Sequence, residues 1–498
     1  MRKTFLAGLL LLALPAAAAP KVLTWGGDAS GGAPYILRDP ADPAKIVGFE
    51  AELADLLAAE LGMKAEFVQN QWDSLIPGLK RGNYDLVING IEITEDRRAE
   101  IDFSNPYFLT FEQITLRKDT YDVDSVKALK GHKVGTLKGC FAERMLLAEP
   151  GVETLGYDNQ TTLYDDLANG RIYAVLLDQP AALYYGGLDR RLRTLPGQFG
   201  QIAYGIGVRK GDKVFLGRVN QALARLTASG KMRRLYERWA IWNPLMAEAF
   251  KDSSSSHDEP TAYEAYRARF GLKQGWKERA AQYASYLPLL ARGAMTTLEL
   301  SLLAMVFAVT LGLFVALVRL YAPAPFQYLA VAYVEFVRGT PLLIQLFFIY
   351  YGLPNVGLKL APFVAAVLGL ALNYGAYEAE VYRAGILAVP HSQMETAFAL
   401  GMTRWQALKH VVIPQALRLV VPPMTNDFIS LLKDSSLVSV ITMVELTRVY
   451  GQLAATYYDY FGIGILTACA YFVIGLPFVR LSRYAETHLA FDRDKRTS

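Results

Sequence analysis

From Lys21 to about Asn243, short apolar runs alternate with stretches whose apolar positions return every three or four residues. The order begins VLTWGG, the amphipathic GFEAELADLLAAELG, KAEFVQ, SLIPGLKRG and DLVING, and continues with HKVGTL, YDDLANG and YAVLLDQ. Period-two runs predict strands and period-3.6 runs predict helices. Their alternation predicts an α/β unit built on parallel sheets with helices on the faces. About 220 residues suit two lobes. The chain is expected to cross between them near Leu116 to Asp119 and to return near Val208 to Gly211.

After Asn243 the pattern changes. KDSSSSHDEP starts a polar stretch, and residues 244–290 read as a tether followed by an amphipathic helix, lying on a membrane surface or capping the soluble unit. From about Met295 long apolar runs take over: MTTLELSLLAMVFAVTLGLFVALV, TPLLIQLFFIYYGL, APFVAAVLGLALNYGAY, VVIPQALRLVVPPMTNDFISLL and IGILTACAYFVIGLPFV. Spans of about 20 apolar residues match a bilayer core, so about five membrane helices are expected, in an all-α unit over residues 291–490.

The remaining composition sharpens this division. Of the 498 residues 52% are hydrophobic, concentrated in the second half. MRKTFLAGLLLLALPAAAAP has a basic start, an apolar core and small residues at its end, the layout of a secretory signal over residues 1–19. The soluble unit, residues 20–243, is then exported. An odd number of spans puts the Arg- and Lys-rich end, including residues 491–498, on the cytoplasmic side. A net charge of +4 with no long basic run speaks against nucleic acid. Cys140 and Cys469 fall on different sides of the boundary, which argues against a disulfide. His132, His257, His391, His410 and His488 have no metal-ligand spacing, and no metal site is expected.

One segment interrupts the apolar half: METAFALGMTRWQALKHVVIPQALRLVVPP. Phe398, Met402, Trp405, Leu408 and Val412 recur at helical spacing, with Glu395, Thr403, Arg404, Gln406 and Lys409 elsewhere around the helix. Gly401 can break it into two short helices, and Pro414 ends the pattern. Pattern alone leaves open whether such a helix rests on lipid or enters a partner's groove. Glu395, Ala397, Gly401 and the following IPQAL resemble the coupling motif of permease subunits of ATP-binding-cassette importers, with Thr396 in place of the usual alanine. RGTPLLIQLFFIYYGLP, AYEAEVYRAGI and LLKDSSLVSVI resemble the polar-amino-acid branch of that family. The resemblance implies that Glu395, Ala397, Gly401 and Arg404 dock on a separate ATPase dimer. The chain has no phosphate loop of its own, since ASGKM lacks the first glycine and the hydroxyl residue. No cofactor is expected in this chain, and ATP with Mg would sit on the partner.

The soluble unit resembles periplasmic binding proteins for polar amino acids, most clearly at WDSLIPGLKRGNYDLVINGIEITEDRRAEIDFSNPY, LKGHKVGTLKGCFAE and GRIYAVLLDQPAALYY. A zwitterion needs a guanidinium for its carboxylate and a carboxylate for its ammonium. By resemblance Arg97 would hold the α-carboxylate, helped by backbone amides at Cys140 and Phe141 that open a helix. Asp178 would hold the ammonium with the Gly90 carbonyl, Trp72 would pack on the side chain, and Thr94 belongs to the same set. Two positions depart from the pattern. Glu92 replaces the usual Ser or Thr, and Gly32 stands where some cationic-amino-acid binders carry an aromatic. Glu92 would engage the ligand's ammonium, favour a cationic side chain, or neutralise Arg97. Cys140 replaces the usual Thr.

Together these imply a fused binding-protein and permease chain of an amino-acid importer in the bacterial inner membrane, with the binding domain outside. It would act as a homodimer on an ATPase dimer, contact lipid, and take a polar or basic L-amino acid. A ligand-gated channel or sensor is the alternative, and an enzyme on the binding-protein fold is a weaker one; the first lacks a filter-like TVGYG run and neither explains the coupling motif.

Overall fold

A computed structural model describes residues 21–39, 42–252, 258–270 and 276–489. The secretory-signal segment, the serine run of the tether and the tail 491–498 lie outside the described residues.

Among the described residues eleven strands occur in chain order: β1 (Lys21–Gly27), β2 (Leu37–Arg38), β3 (Ile46–Val47), β4 (Met63–Gln69), β5 (Leu86–Val87), β6 (Ile101–Arg117), β7 (Lys133–Leu137), β8 (Glu153–Tyr157), β9 (Ala174–Asp178), β10 (Leu192–Thr194) and β11 (Phe199–Arg209). Nine join in one continuous array, ordered β4-β1-β5-β11-β6-β9-β7-β8, with β10 on β6. Within each half the pairing is parallel, β1 with β4 and β5, and β7 with β8 and β9. The two halves are the two lobes.

The crossing points differ from the expected ones. β6 is 17 residues long and serves both lobes. Its first part pairs with β11 from Ile101 to Glu112, and its last part pairs with β9 from Glu112 to Leu116. The chain therefore crosses at Glu112, inside a strand, and returns between Thr194 and Phe199. The outward crossing lies inside strand β6, whose residues are buried almost throughout, and the return runs through the short loop at residues 195–198 between β10 and β11. Phe49, Phe108 and Tyr236 pack their rings together beneath the first lobe, at centroid separations of 5.3 to 5.9 Å.

The tether resolves in favour of a cap. The helix Thr261–Phe270 lies against the soluble unit, with Tyr263 and Tyr266 packed on Tyr184 at 5.2 and 5.1 Å. A second helix then runs without a break from Trp276 to Tyr321, through Pro288. The first apolar span is thus the distal part of a longer rod that begins at Trp276.

The membrane half contains more helices than the five expected. Nine α-helices lie among the described residues 276–489. Helix Ala324–Gly339 was not anticipated as a span; it joins Leu342–Val356 at a bend of 108°. Two helices, Trp276–Tyr321 and Tyr460–Ala485, are long and apolar enough to cross a membrane individually, or three crossings if the bent pair counts as one. The helices Pro362–Leu387 and Ile413–Asp434 carry charges along their length. Glu380 pairs with Arg319 and with Arg383, the latter at 2.8 Å, and Asp434 accepts from Tyr374 at 2.6 Å.

Helix Leu446–Tyr457 connects the two halves. Glu445 caps it, accepting from the amides of Thr447 and Arg448 at 2.7 Å each. Arg448, Gln452 and Thr456 follow at four-residue spacing on one face. Each touches the first lobe: Arg448 Nη2 donates to Asp28 at 2.8 Å and to the Asn70 carbonyl at 3.1 Å; Gln452 bonds Gln69 and Arg38; Thr456 accepts from the Arg38 amide. Tyr458 follows with φ +55°, an unusual value for a side chain of that size, and its ring lies 4.9 Å from Tyr185 of the second lobe. The helix therefore grips both lobes at once.

Candidate functional site

The cleft is assembled from loops that leave strand ends. Trp72 opens a short 3-10 turn after β4; its indole donates to the Asn89 carbonyl at 3.1 Å, and its amide donates to Asp28 at 3.1 Å. Thr94 caps the helix Glu95–Glu100 by accepting from the Arg97 amide at 3.4 Å. That cap aims the Arg97 guanidinium back across the cleft, 5.0 Å over the Trp72 ring. Gly90 has φ +57°, and its amide donates to the buried Glu50 at 2.6 Å. Burial pushes the Glu50 carboxyl up to about 8.

From the second lobe come Cys140, Phe141 and Asp178. Cys140 caps the helix Phe141–Ala148. Its thiol donates to the Leu137 carbonyl at 3.0 Å, and burial pushes its pKa up to about 12, so it stays a thiol. Asp178 ends β9 and caps the next helical turn, accepting from Ala181 at 3.0 Å. Its other oxygen accepts from the hydroxyls of Tyr35 and Tyr204, both at 2.7 Å. Burial raises its pKa against those three hydrogen bonds.

Glu92 has a different environment from a ligand-facing serine. Its carboxylate pairs with Arg97, accepts from the Phe141 amide at 2.7 Å and reaches Arg144 at 3.3 Å. Of the three possibilities for Glu92, the described arrangement is the neutralisation of Arg97. Glu92 belongs to the first lobe and Phe141 to the second, so this carboxylate also bridges the cleft. Gly32 has φ +77°, and a Cβ there would lie 2.0 Å from the Tyr185 hydroxyl. The space a side chain at position 32 would take is thus filled by the Tyr185 hydroxyl from the other lobe.

Two participants were not anticipated. Glu112, at the crossing point, is 2% exposed and one of its carboxylate oxygens has no hydrogen-bond partner among the described residues. It stands directly across from Asp178 in the β6–β9 register. Its signal in the sequence was an acid in the middle of a mostly apolar and neutral strand whose other charges, Asp102 and Arg117, sit at the two ends. Arg448 was hidden for the opposite reason, in a stretch whose apolar surroundings drew attention to membrane spans.

On the far side of the membrane half, the helix His391–Ala399 ends at Gly401, whose φ of +79° is the left-handed turn only glycine takes freely. Thr403 and Gln406 then form a reciprocal capping box for the turn at Arg404. Ala397 and Ala407 face inward, while Glu395 and Arg404 are exposed beside Phe398, Leu400 and Trp405. Leu400 and Trp405 are 73% and 68% exposed. The predicted stripe is split, with Val412 buried against Val389 and Ala416 and Trp405 left open.

Residues 308–490 match the binding-protein-dependent transport system inner membrane components, and residues 23–241 match the bacterial extracellular solute-binding proteins, family 3. The L-cystine transport system permease of Bacillus subtilis is 42% identical over 175 residues, 35% of this chain and 75% of that protein. The chain belongs to the binding-protein-dependent transport permeases. The glutamine transport system permease of Escherichia coli is 35% identical over 205 residues, 41% of this chain and 94% of that protein. An ancestral arginine-binding protein bound to arginine is similar over 44% of this chain and 97% of its own, at 34% identity and TM-score 0.41. This permease carries its solute-binding domain in the same chain, so it combines capture and membrane passage in one transport subunit.

Proposed function

We propose that this chain is the capture and pore subunit of an ATP-driven importer for a polar or basic amino acid, with its binding domain on the outer side of the inner membrane. The observation that carries the reading is the docking helix Leu446–Tyr457. It holds the closed two-lobed domain, with Arg97 and Asp178 in one cleft, against the membrane half of the same chain. Tethering makes that encounter intramolecular, at an effective concentration of about millimolar for short linkers. ATP hydrolysis belongs to a separate ATPase dimer. The exposed Phe398, Leu400 and Trp405 beside Glu395 form the surface we assign to it, on both copies of a homodimeric pore.

The test is calorimetric titration of the full chain in lipid nanodiscs with each of the twenty amino acids. Saturable binding of a polar or basic amino acid, abolished by Asp178→Ala, is expected. No heat from any of them, or binding untouched by that change, would refute the assignment of this cleft.

A further inference from the structure

The position that would grip a ligand's carboxylate is already filled. An α-carboxylate in this cleft would call on the Arg97 guanidinium and on the free amide that opens the helix at Phe141. Glu92 takes both: it pairs with Arg97 and accepts from Phe141 at 2.7 Å, with Arg144 at 3.3 Å as a third donor. Its side chain is 6% exposed and that of Arg97 14%, so this pair is largely shielded from water, while Arg144 stays open to it. A second carboxylate brought here would meet a like charge at contact distance and would have to strip Glu92 of three partners.

The rest of the cleft holds the opposite charge. With Arg97 balanced by Glu92, two carboxyls remain, Asp178 and the buried Glu112, cross-strand neighbours whose side chains share one side of the sheet. Asp178 has only two tyrosine hydroxyls and one amide as partners. Glu112 keeps a buried oxygen with no partner among the described residues, a costly arrangement that a donor from a ligand would relieve. Burial raises the pKa of both, and a cation placed beside either would favour its ionised form. Tyr35 and Tyr204 flank them, edge to face at 6.1 Å, and aromatic faces attract cations.

We propose that Glu92 determines specificity by supplying, from the protein, the carboxylate that fills the Arg97–Phe141 anion position, so that the ligand is recognised through its positive charges alone. The ligand class is the dibasic amino acids together with the corresponding amines that lack an α-carboxylate. This rests on the cleft being the capture site.

The test uses the full chain in nanodiscs and matched pairs of probes: L-arginine with 4-aminobutylguanidine, and L-lysine with 1,5-diaminopentane, with L-glutamine as the neutral control. In the unmodified protein each pair should bind with affinities within about threefold of one another, and glutamine at least about tenfold more weakly, the scale of one charge-assisted hydrogen bond. Glu92→Ser should restore a vacant anion position and shift the preference about tenfold or more toward the amino acid of each pair. Glu92→Gln, which keeps the shape, should shift it the same way if the serine variant does not fold. A wild-type preference of tenfold or more for the amino acids, or glutamine binding equal to arginine, would overturn the inference while leaving the cleft assigned. Silence toward every probe would instead overturn the cleft assignment, and this inference with it.

Discussion

Removing the Arg448 side chain should undock the binding domain without unfolding it. The Arg448–Asp28 pair is close, at 2.8 Å, and its two side chains are only 10% and 9% exposed. Breaking a buried ion pair by removing one partner costs about 3–5 kcal/mol, because the remaining charge is left in a poor solvent. Asp28 is not stranded, since the amides of Ser30 and Trp72 and the Gln69 side chain also donate to it. In the undocked state water reaches it as well. The lower end, about 3 kcal/mol, is the appropriate figure, and it weakens docking by roughly 150-fold. Against an effective concentration of about millimolar, that moves the domain from mostly docked to mostly free unless docking is tighter than about 7 μM. Single-molecule energy transfer between a dye on the second lobe and one near Tyr460, at the start of the helix Tyr460–Leu489, reads the docked fraction directly. Arg448→Ala, Asp28→Ala and the double variant form a cycle that separates the pair from the bracing of Trp72 by Asp28. A coupling energy under about 0.5 kcal/mol, or a docked fraction unchanged by Arg448→Ala, would refute the argument.

Three further outcomes follow from the same geometry. Glu50 is ionised in the unfolded chain from about 4.5 but held protonated in the fold up to about 8. The stability it contributes is therefore full below 4.5 and lost as pH rises through 8, at most about 5 kcal/mol, and Glu50→Gln should flatten that slope in thermal melts of the binding domain. Asp178 also has its pKa raised by burial, so binding of a cationic ligand should release protons and strengthen with rising pH; titration in buffers of different ionisation heat measures that release, and uptake of protons would contradict it. Gly401→Ala forces a side chain into φ +79° with open space around it, so it should cost about 1 kcal/mol of local strain, with ATPase coupling reduced and ligand binding unchanged.

The strand and helix order of the binding domain was legible because its alternation follows one clear period at a time. Arg97 and Trp72, 25 positions apart in the sequence, lie together, with the guanidinium 5.0 Å over the ring. The hinge was misplaced because a strand that serves two lobes shows no boundary in its pattern, and turn residues marked only where the strand ends. The membrane half was less legible. Helix Ala324–Gly339 hides behind Glu335 and Arg338, and Trp276–Tyr321 begins in polar sequence that reads as linker. Glu92 was recognised as a departure, but no sequence pattern reveals that its carboxylate reaches across the cleft to Phe141. That contact depends on how two lobes close, a distance set by β6 and β11 and by nothing local to either residue.

The most direct test of the central claim is uptake into proteoliposomes holding this chain and an ABC ATPase that co-purifies with it, with no free binding protein added. Labelled L-arginine and 4-aminobutylguanidine serve as probes. The account predicts accumulation against a gradient that requires ATP inside, ceases in Glu395→Ala and falls sharply in Arg448→Ala. Passage without ATP that only equalises the two sides would contradict it, and would mark the membrane half as a gated channel.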